Sequence, residues 1–501
     1  MISKTFCVSL VGIDAFPVCV EVEAARGLPS ESIVGLPDKA VRESKNRIRS
    51  AIRSAGFKFP VMSFTINLAP AYLPKMGSMF DLSIATAILK TTGQIKIDDN
   101  CILCGELSLD GYIRPINGIL SIGSMMKKHD FKKLLVANKK TPDLFLLKDI
   151  ELINITHLSQ LKQFFSLKPC SFLKDFTFPK PVIPYDVSDI KGQYEAKRAL
   201  EIAATGHHNL LLSGAPGSGK SMLLKRLPSI LSPLSDDELV DCYKIYSLKK
   251  STSSSFLDSR LRPFRSPHHN ISLVGMIGGG KDASPGEISL AHGGVLFLDE
   301  FPEFSRQVIE SLRQPLEDKK LLISRAQYAV TFPSSFILAA AMNPCPCGYY
   351  SDDVISCSCS MYDRQKYFKK ISGPILDRID LHVTVPRITD PKILHSSLPQ
   401  NNFHSSTEIL KRSIAANNFR MNRGQKYPNA FIPQKFLNHY CQLNSSAEKL
   451  LSKTISSGDL SGRGYISILK ISRSIADLKQ VININDEIIY EALFFRKKTL
   501  N

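Results

Sequence analysis

The sequence predicts an α/β protein built from several domains, and three observations support this prediction. A chain of 501 residues is too long for one hydrophobic core. Apolar runs at 210–212, 295–298 and 336–342 are each followed by polar or glycine residues, a pattern typical of buried parallel strands. Beyond residue 403 the apolar positions follow amphipathic helical spacing. We predict a mixed strand and helix domain at 1–167, a linker at 168–188, a parallel-sheet core at 189–395 and a small all-α domain at 403–501.

The N-terminal domain is predicted to combine strands with helices. Alternating apolar residues favour strands at 6–11 and 18–22, and a helix is predicted from about Asp38 to Ala55. That helix carries the cations Arg42, Lys45, Arg47, Arg49 and Arg53. These side chains fit either contact with phosphate groups or a solvated helix face.

The linker is predicted from four prolines that lack helical periodicity between them. They are Pro169, Pro179, Pro181 and Pro184. The segment 189–193 then leads into a predicted helix at 196–204, where the core domain begins.

A complete phosphate-binding loop (P-loop) follows the leucine run of the core. It consists of Gly214, Ala215, Pro216, Gly217, Ser218, Gly219, Lys220 and Ser221. The glycines let successive backbone N–H groups point at phosphate oxygens, and the following helix adds its positive N-terminal end. Lys220 is expected to reach the β- and γ-phosphates of ATP, while the Ser221 hydroxyl is expected to hold Mg²⁺.

Two later strands of the core end in polar side chains. The run at 295–298 is followed by Asp299 and Glu300, and the run at 336–342 is followed by Asn343. Because ligands sit at the carboxyl ends of parallel strands, we expect Asp299 to hold Mg²⁺ and Glu300 to be the general base. Asn343 is expected to sense the γ-phosphate. The alternatives are a surface acidic pair and an ordinary Asn-Pro turn.

The charge of the chain favours a polyanionic partner. Lys and Arg number 64 against 46 for Asp and Glu, which gives a net charge of +18. Nucleic acid fits this charge first and an anionic membrane surface second, while a diffusely basic surface is the alternative. No apolar run reaches the roughly 18 residues of a transmembrane helix, and the N-terminus lacks a signal-peptide cleavage site. We therefore expect a cytoplasmic protein without a membrane partner.

Four cysteines form two close pairs in a loop that contains glycine and serine. They are Cys345, Cys347, Cys357 and Cys359. In a reducing compartment two close pairs indicate either a Cys₄ zinc site or free thiols. The C-x-C spacing is tighter than the usual C-x₂-C spacing of zinc sites.

Four longer motifs in the core and the helical domain point to a family. They are Pro263-Phe264-Arg265-Ser266-Pro267-His268-His269, the run 285–300, Ala341-Met342-Asn343-Pro344-Cys345-Pro346-Cys347-Gly348 and Ser461-Gly462-Arg463-Gly464-Tyr465. Through these motifs the chain resembles the ComM (YifB) family of AAA+ ATPases, which are similar to magnesium chelatase subunit I. The resemblance extends from Asn67 to Asp477. It implies a P-loop AAA+ core, a helical lid and a ring, expected to be a hexamer, with ATP at the subunit interfaces.

The N-terminal domain resembles the Lon-protease-like domain of the magnesium-chelatase-like ATPases, which has the ribosomal S5 domain 2-like fold. The motifs are Asn67-Leu68-Ala69-Pro70, Lys75-Met76-Gly77, Asp81-Leu82 and the run 105–111. Lon-type proteases carry a nucleophilic serine two residues beyond the glycine that matches Gly77. Met79 occupies that position here, so we do not predict peptidase activity.

The family resemblance also implies roles for residues that have no signal of their own. Arg378 is the expected arginine finger for a neighbouring subunit, and Arg463 matches the sensor-2 arginine that contacts ATP within its own subunit. Ile190 is expected to pack beside the adenine base. Two hairpins are expected to grip the DNA backbone through Lys281, Lys319, Lys320 and Arg325.

The resemblance implies a function as a motor on DNA. The protein would hydrolyse ATP with Mg²⁺ and act as a helicase or branch-migration enzyme on recombination intermediates during natural transformation. Recombination proteins are then possible partners. The alternative is a chelatase-like or protein-remodelling chaperone, which would respond to a protein partner and not to DNA.

Overall fold

The computed structural model describes residues 1–137, 142–147, 149–170, 178–179, 185–249, 254–280, 283–324, 329–350, 352–389, 405–456 and 460–496. The chain divides into two units. One comprises Met1–Pro179 and Tyr243–Ser254, and the other comprises Lys180–Cys242 and Ser255–Asn501. The predicted linker at 168–188 falls partly outside the described residues.

A seven-stranded mixed sheet forms the first unit. Its strands are ordered β3-β4-β2-β1-β5-β8-β9, and β6 and β7 form a separate small hairpin. Strand bounds are β1 Ile2–Val11, β2 Asp14–Ala25, β3 Ser30–Val34, β4 Ser63–Ala69, β5 Cys101–Cys104, β6 Glu106–Leu107, β7 Ile113–Arg114, β8 Lys133–Val136 and β9 Glu151–Asn154. The α-helices are Lys39–Ser54, Asp81–Thr91 and Ile119–Lys128. The two strands expected from alternation are therefore present, and both are longer than predicted.

The cationic helix of the first unit begins at Lys39, after Asp38 caps its N-terminus. Two of its arginines are held by acids within the unit. Arg47 pairs with the buried carboxylate of Asp81 at 2.9 Å, and Arg49 pairs with Glu31 at 2.6 Å. These two cations thus have an intramolecular role.

A five-stranded parallel sheet forms the centre of the second unit. The strand order is β11-β14-β17-β10-β18, and every pairing in it is parallel. The bounds are β10 Leu210–Ser213, β11 Phe264–Arg265, β14 Val295–Leu298, β17 Ile337–Met342 and β18 Leu381–Thr384. Because β10, β14 and β17 are buried along their length, their sequences are apolar and do not alternate. The α/β class with a parallel sheet is thereby confirmed.

Two small hairpins accompany this sheet. They are β12 Gly278–Gly279 with β13 Ser284–Pro285, and β15 Lys320–Ser324 with β16 Ala329–Pro333. Both hairpins were expected from the sequence. The α-helices around the sheet are Tyr194–Gly206, Lys220–Leu224, Leu273–Ile277, Glu287–Leu290, Arg306–Ser311, Arg313–Asp318, Met361–Phe368 and Gly373–Leu376. A further helix, Asp236–Ser247, spans the unit boundary that follows Cys242.

Helices make up the C-terminal part of the second unit. They are Ser406–Asn422, Leu437–Tyr440, Ser445–Ser456, Gly462–Leu478 and Asp486–Phe494. Their apolar faces share one core with the parallel sheet, since Ile471 and Ile475 belong to the same buried cluster as Leu210 and Leu212. Residue contacts place these helices in the same unit as the parallel sheet. The bounds of a separate domain at 403–501 therefore stay a prediction from the sequence.

A buried ion network lies within these C-terminal helices. Asp477, which is 1% exposed, accepts hydrogen bonds from Arg423 at 2.7 Å and from Arg473 at 3.0 Å. Asn429 Nδ2 donates to the same carboxylate at 2.8 Å. Arg473 is itself fully buried, so its charge depends on this partner.

Within the described part of the chain, the helices are all too short or too polar to cross a membrane.

Replacing Asp477 with Asn should destabilise the second unit. The substitution removes the charge that compensates two guanidinium groups, and breaking a buried pair costs about 3–5 kcal/mol. Urea denaturation followed by circular dichroism measures this as a lower midpoint. The control is Glu408→Gln, whose carboxylate is paired with Lys411 on the surface, and there the loss should stay below about 1 kcal/mol. Equal midpoints for the two variants would contradict the network's role.

Candidate nucleotide-binding site

The P-loop connects the end of β10 to the helix Lys220–Leu224. Gly217 and Gly219 have φ values of 77° and 91°, a region that favours glycine. A Cβ atom on Gly214 would lie 2.2 Å from the carbonyl oxygen of Val385. These glycines therefore permit the tight curl that the sequence predicts for a phosphate-binding loop.

Lys220 lies inside this curl and is 8% exposed. Its ammonium donates to the carbonyl oxygens of Gly214 and Ala215 at 2.6 and 2.8 Å. It also donates to Oδ1 of Asn343 at 3.3 Å. Burial lowers the pKa of Lys220. The structure therefore brings Lys220 and Asn343 together, although Lys220 follows β10 and Asn343 follows β17.

The two residues proposed to hold Mg²⁺ are also in contact. The Ser221 hydroxyl donates to Oδ2 of Asp299 at 2.7 Å. The backbone N–H of Glu300 donates to Oδ1 of Asp299 at 3.0 Å. A hydroxyl beside a carboxylate offers the oxygen ligands that Mg²⁺ prefers, and both groups lie at the carboxyl edge of the parallel sheet.

Glu300 has a contact that sequence reasoning did not predict. Its Oε2 lies 3.3 Å from Nδ1 of His269. The backbone of Glu300 has φ 51°, which is uncommon outside glycine. The His268-His269 pair stands out in the sequence as the end of the motif 263–269, but that motif gives no sign of a contact with Glu300. His269 and Glu300 are far apart in the chain, so the sequence alone does not indicate their contact.

The segment before the core sheet contacts the P-loop through Gln193, three residues after Ile190. The Ile190 side chain is 7% exposed and belongs to the core of the second unit. Gln193 Nε2 donates to the carbonyl oxygens of Ser218 at 3.3 Å and of Pro386 at 2.7 Å. Gln193 was not predicted as a site residue. Its contact with the P-loop could have been found only from the three-dimensional structure.

The two arginines implied by the family share one acid. Arg378 and Arg463 both contact Glu317, with the Arg463 Nη2 to Glu317 Oε1 distance being 3.0 Å. The hydrogen bond from Arg378 lowers the pKa of Glu317. These three residues line a cavity of 480 Å³. The structure thus groups Arg463 with Arg378, whereas Lys220 contacts Asn343 and the P-loop.

The candidate DNA-binding residues differ in what the structure describes. Lys281 and Arg325 lie outside the described residues. Lys320 is exposed at the start of β15. Lys319 lines the same cavity as Arg378, and its Nζ lies 4.3 Å from the centre of the Phe431 ring. Burial lowers the pKa of Lys319 to about 8. A DNA contact by Lys319 would require its ammonium to leave Phe431.

The four loop cysteines come together in the second unit. Their sulfur atoms all lie within 4.8 Å of one another. The hydrogen bond from the backbone of Tyr349 lowers the pKa of Cys347 to about 5, while burial raises the pKa of Cys345 to about 12. The cluster therefore offers four sulfur ligands, the number that a structural zinc site uses.

Three protein-family models match separate parts of the chain. The model described as Magnesium chelatase, subunit ChlI matches residues 186–393. The models described as Subunit ChlI of Mg-chelatase and as Magnesium chelatase, subunit ChlI C-terminal match residues 20–140 and 404–496. Together the three matches extend over both units and include the P-loop and both arginines.

Whole-length relatives agree with these matches. The protein YifB of Escherichia coli (strain K12) is 38% identical over 97% of this chain and 95% of its own length. Competence protein ComM of Haemophilus influenzae is 37% identical over 97% of this chain and 96% of its own length. Lon protease 2 of Bacillus subtilis is 26% identical over 22% of this chain and 21% of its own length. Similarity to Lon protease supports the predicted fold of the N-terminal domain.

The family resemblance expected from the motifs is confirmed by the family models and by identity over nearly the whole length of YifB and ComM. Membership implies ATPase activity, in agreement with the P-loop and with the acids at the sheet edge. The chain therefore belongs to the YifB/ComM family of magnesium-chelatase-like AAA+ proteins.

Proposed function

We propose that the protein is an ATP-hydrolysing motor that acts on DNA as a ring, with a hexamer as the expected assembly. The observation that carries the proposal is the cluster of Lys220, Asn343, Ser221, Asp299 and Glu300 at one edge of the sheet. The net charge of +18 supports a polyanionic partner. The Haemophilus influenzae relative is named competence protein ComM, and this name supports a role in natural transformation.

ATP would bind by replacing contacts that the P-loop makes with itself. The Lys220 ammonium now bonds neutral carbonyl oxygens, and the triphosphate would offer it negatively charged ones. Ser221 and Asp299 would hold the Mg²⁺ ion, which would offset negative charge on the phosphates. Glu300 would take a proton from the attacking water, and Asn343 would orient that water or the γ-phosphate.

Arg378 and Arg463 would complete the site of a neighbouring subunit. Both guanidinium groups contact Glu317, so they lie at one place on the surface of the second unit. We propose that both leave this acid to bind phosphates of the same nucleotide. For Arg463 this replaces the expected contact with ATP in its own subunit. An arginine finger is worth about 10³- to 10⁵-fold in kcat.

DNA would be held through its phosphates and not through its bases. The proposed contacts are Lys281 and Lys319, together with Lys320 and Arg325. The hairpins near these residues, β12 with β13 and β15 with β16, would carry them to the DNA. Unwinding or branch migration of recombination intermediates in the cytoplasm, with recombination proteins as partners, is the proposed outcome. Phosphate contacts predict binding that weakens steeply as salt increases.

A second candidate function is the remodelling of a protein partner or assistance in metal insertion. The observation that favours it is the family description, which names a magnesium chelatase subunit. A chaperone of this kind would hydrolyse ATP in response to a protein, and DNA would leave its rate unchanged.

DNA should increase the steady-state ATPase rate of the wild-type protein. The measurement compares no DNA, single-stranded DNA, duplex DNA and a four-way junction at fixed salt concentration. Lys220→Ala should remove nucleotide binding as well as hydrolysis, because the triphosphate loses its cation. Glu300→Gln should keep nucleotide binding and lose about 10²- to 10⁴-fold in rate, since only the general base is removed.

The matched control for these variants is Glu303→Gln, because Glu303 pairs with Lys370 on the surface. Its ATPase rate should equal that of the wild-type protein on every DNA. A wild-type rate that is the same with and without all three DNA forms would contradict the DNA motor and favour a protein partner.

Mixing inactive subunits should restore activity if both arginines act on a neighbour. Lys220→Ala subunits mixed 1:1 with Arg378→Ala subunits should reach roughly a quarter of the wild-type rate by random assembly. The same recovery is expected with Arg463→Ala subunits. Lys220→Ala mixed with Glu300→Gln should stay inactive, because both residues serve the nucleotide of their own subunit. Failure of the Arg463→Ala mixture alone would place Arg463 at its own subunit's ATP.

His269 should restrain Glu300 in the absence of DNA. Its contact with the Glu300 carboxylate lies in the segment that leads to the β12 and β13 hairpin. Because this contact would restrain the carboxylate of the candidate base, His269→Ala should raise the DNA-free ATPase rate at least severalfold and reduce the stimulation by DNA. His268→Ala is the neighbouring control and should leave both rates close to wild type. An unchanged DNA-free rate in His269→Ala would refute the restraint.

A further inference from the structure

We propose that Cys345, Cys347, Cys357 and Cys359 bind one structural zinc ion, and that this metal site holds Asn343 and the P-loop in their working positions. The metal part of the proposal is independent of the proposed function. The positioning part rests on the proposed ATPase activity.

The sulfur positions fit a single tetrahedral ion. Cys345 Sγ lies 3.3 Å from Cys347 Sγ and 3.7 Å from Cys357 Sγ, and Cys347 Sγ lies 3.6 Å from Cys357 Sγ. With Zn–S bonds of about 2.3 Å, a regular tetrahedron has sulfur atoms about 3.8 Å apart. The fourth sulfur, that of Cys359, is within 4.8 Å of the other three. Small shifts are therefore enough to surround a metal ion.

The backbone of the loop is arranged to support metal-bound thiolates. The N–H of Cys347 donates to Cys359 Sγ at 3.3 Å, and the N–H of Tyr350 donates to Cys345 Sγ at 3.3 Å. Such hydrogen bonds orient the sulfur ligands and offset part of their negative charge. When the four cysteines bind Zn²⁺ as thiolates, the protons of their thiols pass to solvent and no electron is transferred. The site therefore needs no oxidant or reductant.

Four thiolate ligands favour zinc over the hard cations. Thiolates are soft ligands that select zinc, copper(I) or iron–sulfur centres, whereas Mg²⁺ prefers oxygen. A site with four protein ligands leaves no position for water, which is the arrangement of a structural ion and not of a catalytic one. A single iron ion bound by four thiolates is the nearest competitor and gives a different result in metal analysis.

The loop from Cys345 to Cys359, which we call the cysteine loop, begins two residues after Asn343. Strand β17 ends at Met342, so the strand carries Asn343 and the cysteine loop on the same short extension. Fixing Cys345 to a metal ion therefore limits the positions that the Asn343 side chain can take relative to Lys220.

The cysteine loop also lies directly against the P-loop. Gly348 has φ 90°, and a Cβ atom there would lie 2.7 Å from two ring carbons of Pro216 and 3.9 Å from Cγ of Asn343. A side chain at this position would push the two loops apart. This close approach is the physical link through which a metal ion at the cysteines would act on the nucleotide site.

A small cavity lies between the P-loop and the cysteine loop. It has a volume of 200 Å³ and is lined by Gly214 and Ala215 of the P-loop and by Tyr350 and Asp352 near the cysteines. Asp352 pairs with Arg387 at 3.3 Å, so the loop is also attached beyond β18. Without a metal ion, the chain between the cysteine pairs would gain freedom at the edge of the phosphate site.

Metal analysis of the purified protein tests the first part of the proposal. We expect one zinc per chain in the wild-type protein, an unchanged content in Cys19→Ser, and loss of zinc in Cys357→Ser. Cys19 is a half-buried free thiol in the first unit and serves as the matched control. Replacing zinc with Co²⁺ should give the visible absorption of a tetrahedral thiolate site. Wild-type protein without bound metal, or with iron in place of zinc, would overturn the assignment.

The ATPase rate and the affinity for a fluorescent ATP analogue test the second part. Cys357→Ser should lose about 10- to 100-fold in kcat, the scale expected for a misplacement of about 1 Å, while Cys19→Ser retains the wild-type rate. Gly348→Ala should keep its zinc and still lose activity, because the added methyl group displaces Pro216. Wild-type kinetics in zinc-free Cys357→Ser would overturn the positioning role. A wild-type protein that binds zinc and hydrolyses no ATP would refute the proposed function and leave the metal site standing.

Discussion

The ammonium group of Lys220 places the strongest constraint on the second unit. It is almost fully buried, and its nearest partners are the neutral oxygens of Gly214, Ala215 and Asn343. Neutral acceptors compensate a buried charge only in part, so an anion gains more there than at an exposed lysine. The curl of glycines, the short helix and the parallel sheet all serve to hold this one cation at a place that a triphosphate can reach.

The strand order explains why distant residues meet at this place. Strands β10, β14 and β17 are neighbours in the sheet and run in parallel, so their carboxyl ends bring the P-loop, Asp299 and Asn343 to one edge. The same edge receives His269 beside Glu300 and the cysteine loop beside Pro216. Segments that are proposed to contact DNA or a metal ion therefore touch the residues that are proposed to hydrolyse ATP, which is what coupling in a motor requires.

Sequence reasoning predicted the parts of the site that are local in the chain. The P-loop is one continuous run, and Asp299 and Asn343 follow apolar strands whose burial can be recognised directly. Contacts between separate loops left no such pattern. The Glu317 contact with Arg378 and Arg463, the Gln193 contact with the P-loop and the position of Lys319 over Phe431 depend on how helices pack. The four cysteines were recognised, but their convergence on one point required the structure.

Separation of the strands of a DNA junction is the most direct test of a motor that acts on DNA, because it detects movement and not hydrolysis alone. A fluorescently labelled four-way junction is incubated with the protein and ATP, and the products are resolved by native gel electrophoresis. The wild-type protein should convert the junction into branched or linear products only when ATP is hydrolysed, and Glu300→Gln should bind the junction without converting it. An intact junction in the presence of rapid ATP hydrolysis by the wild-type protein would rule out a motor that remodels DNA junctions.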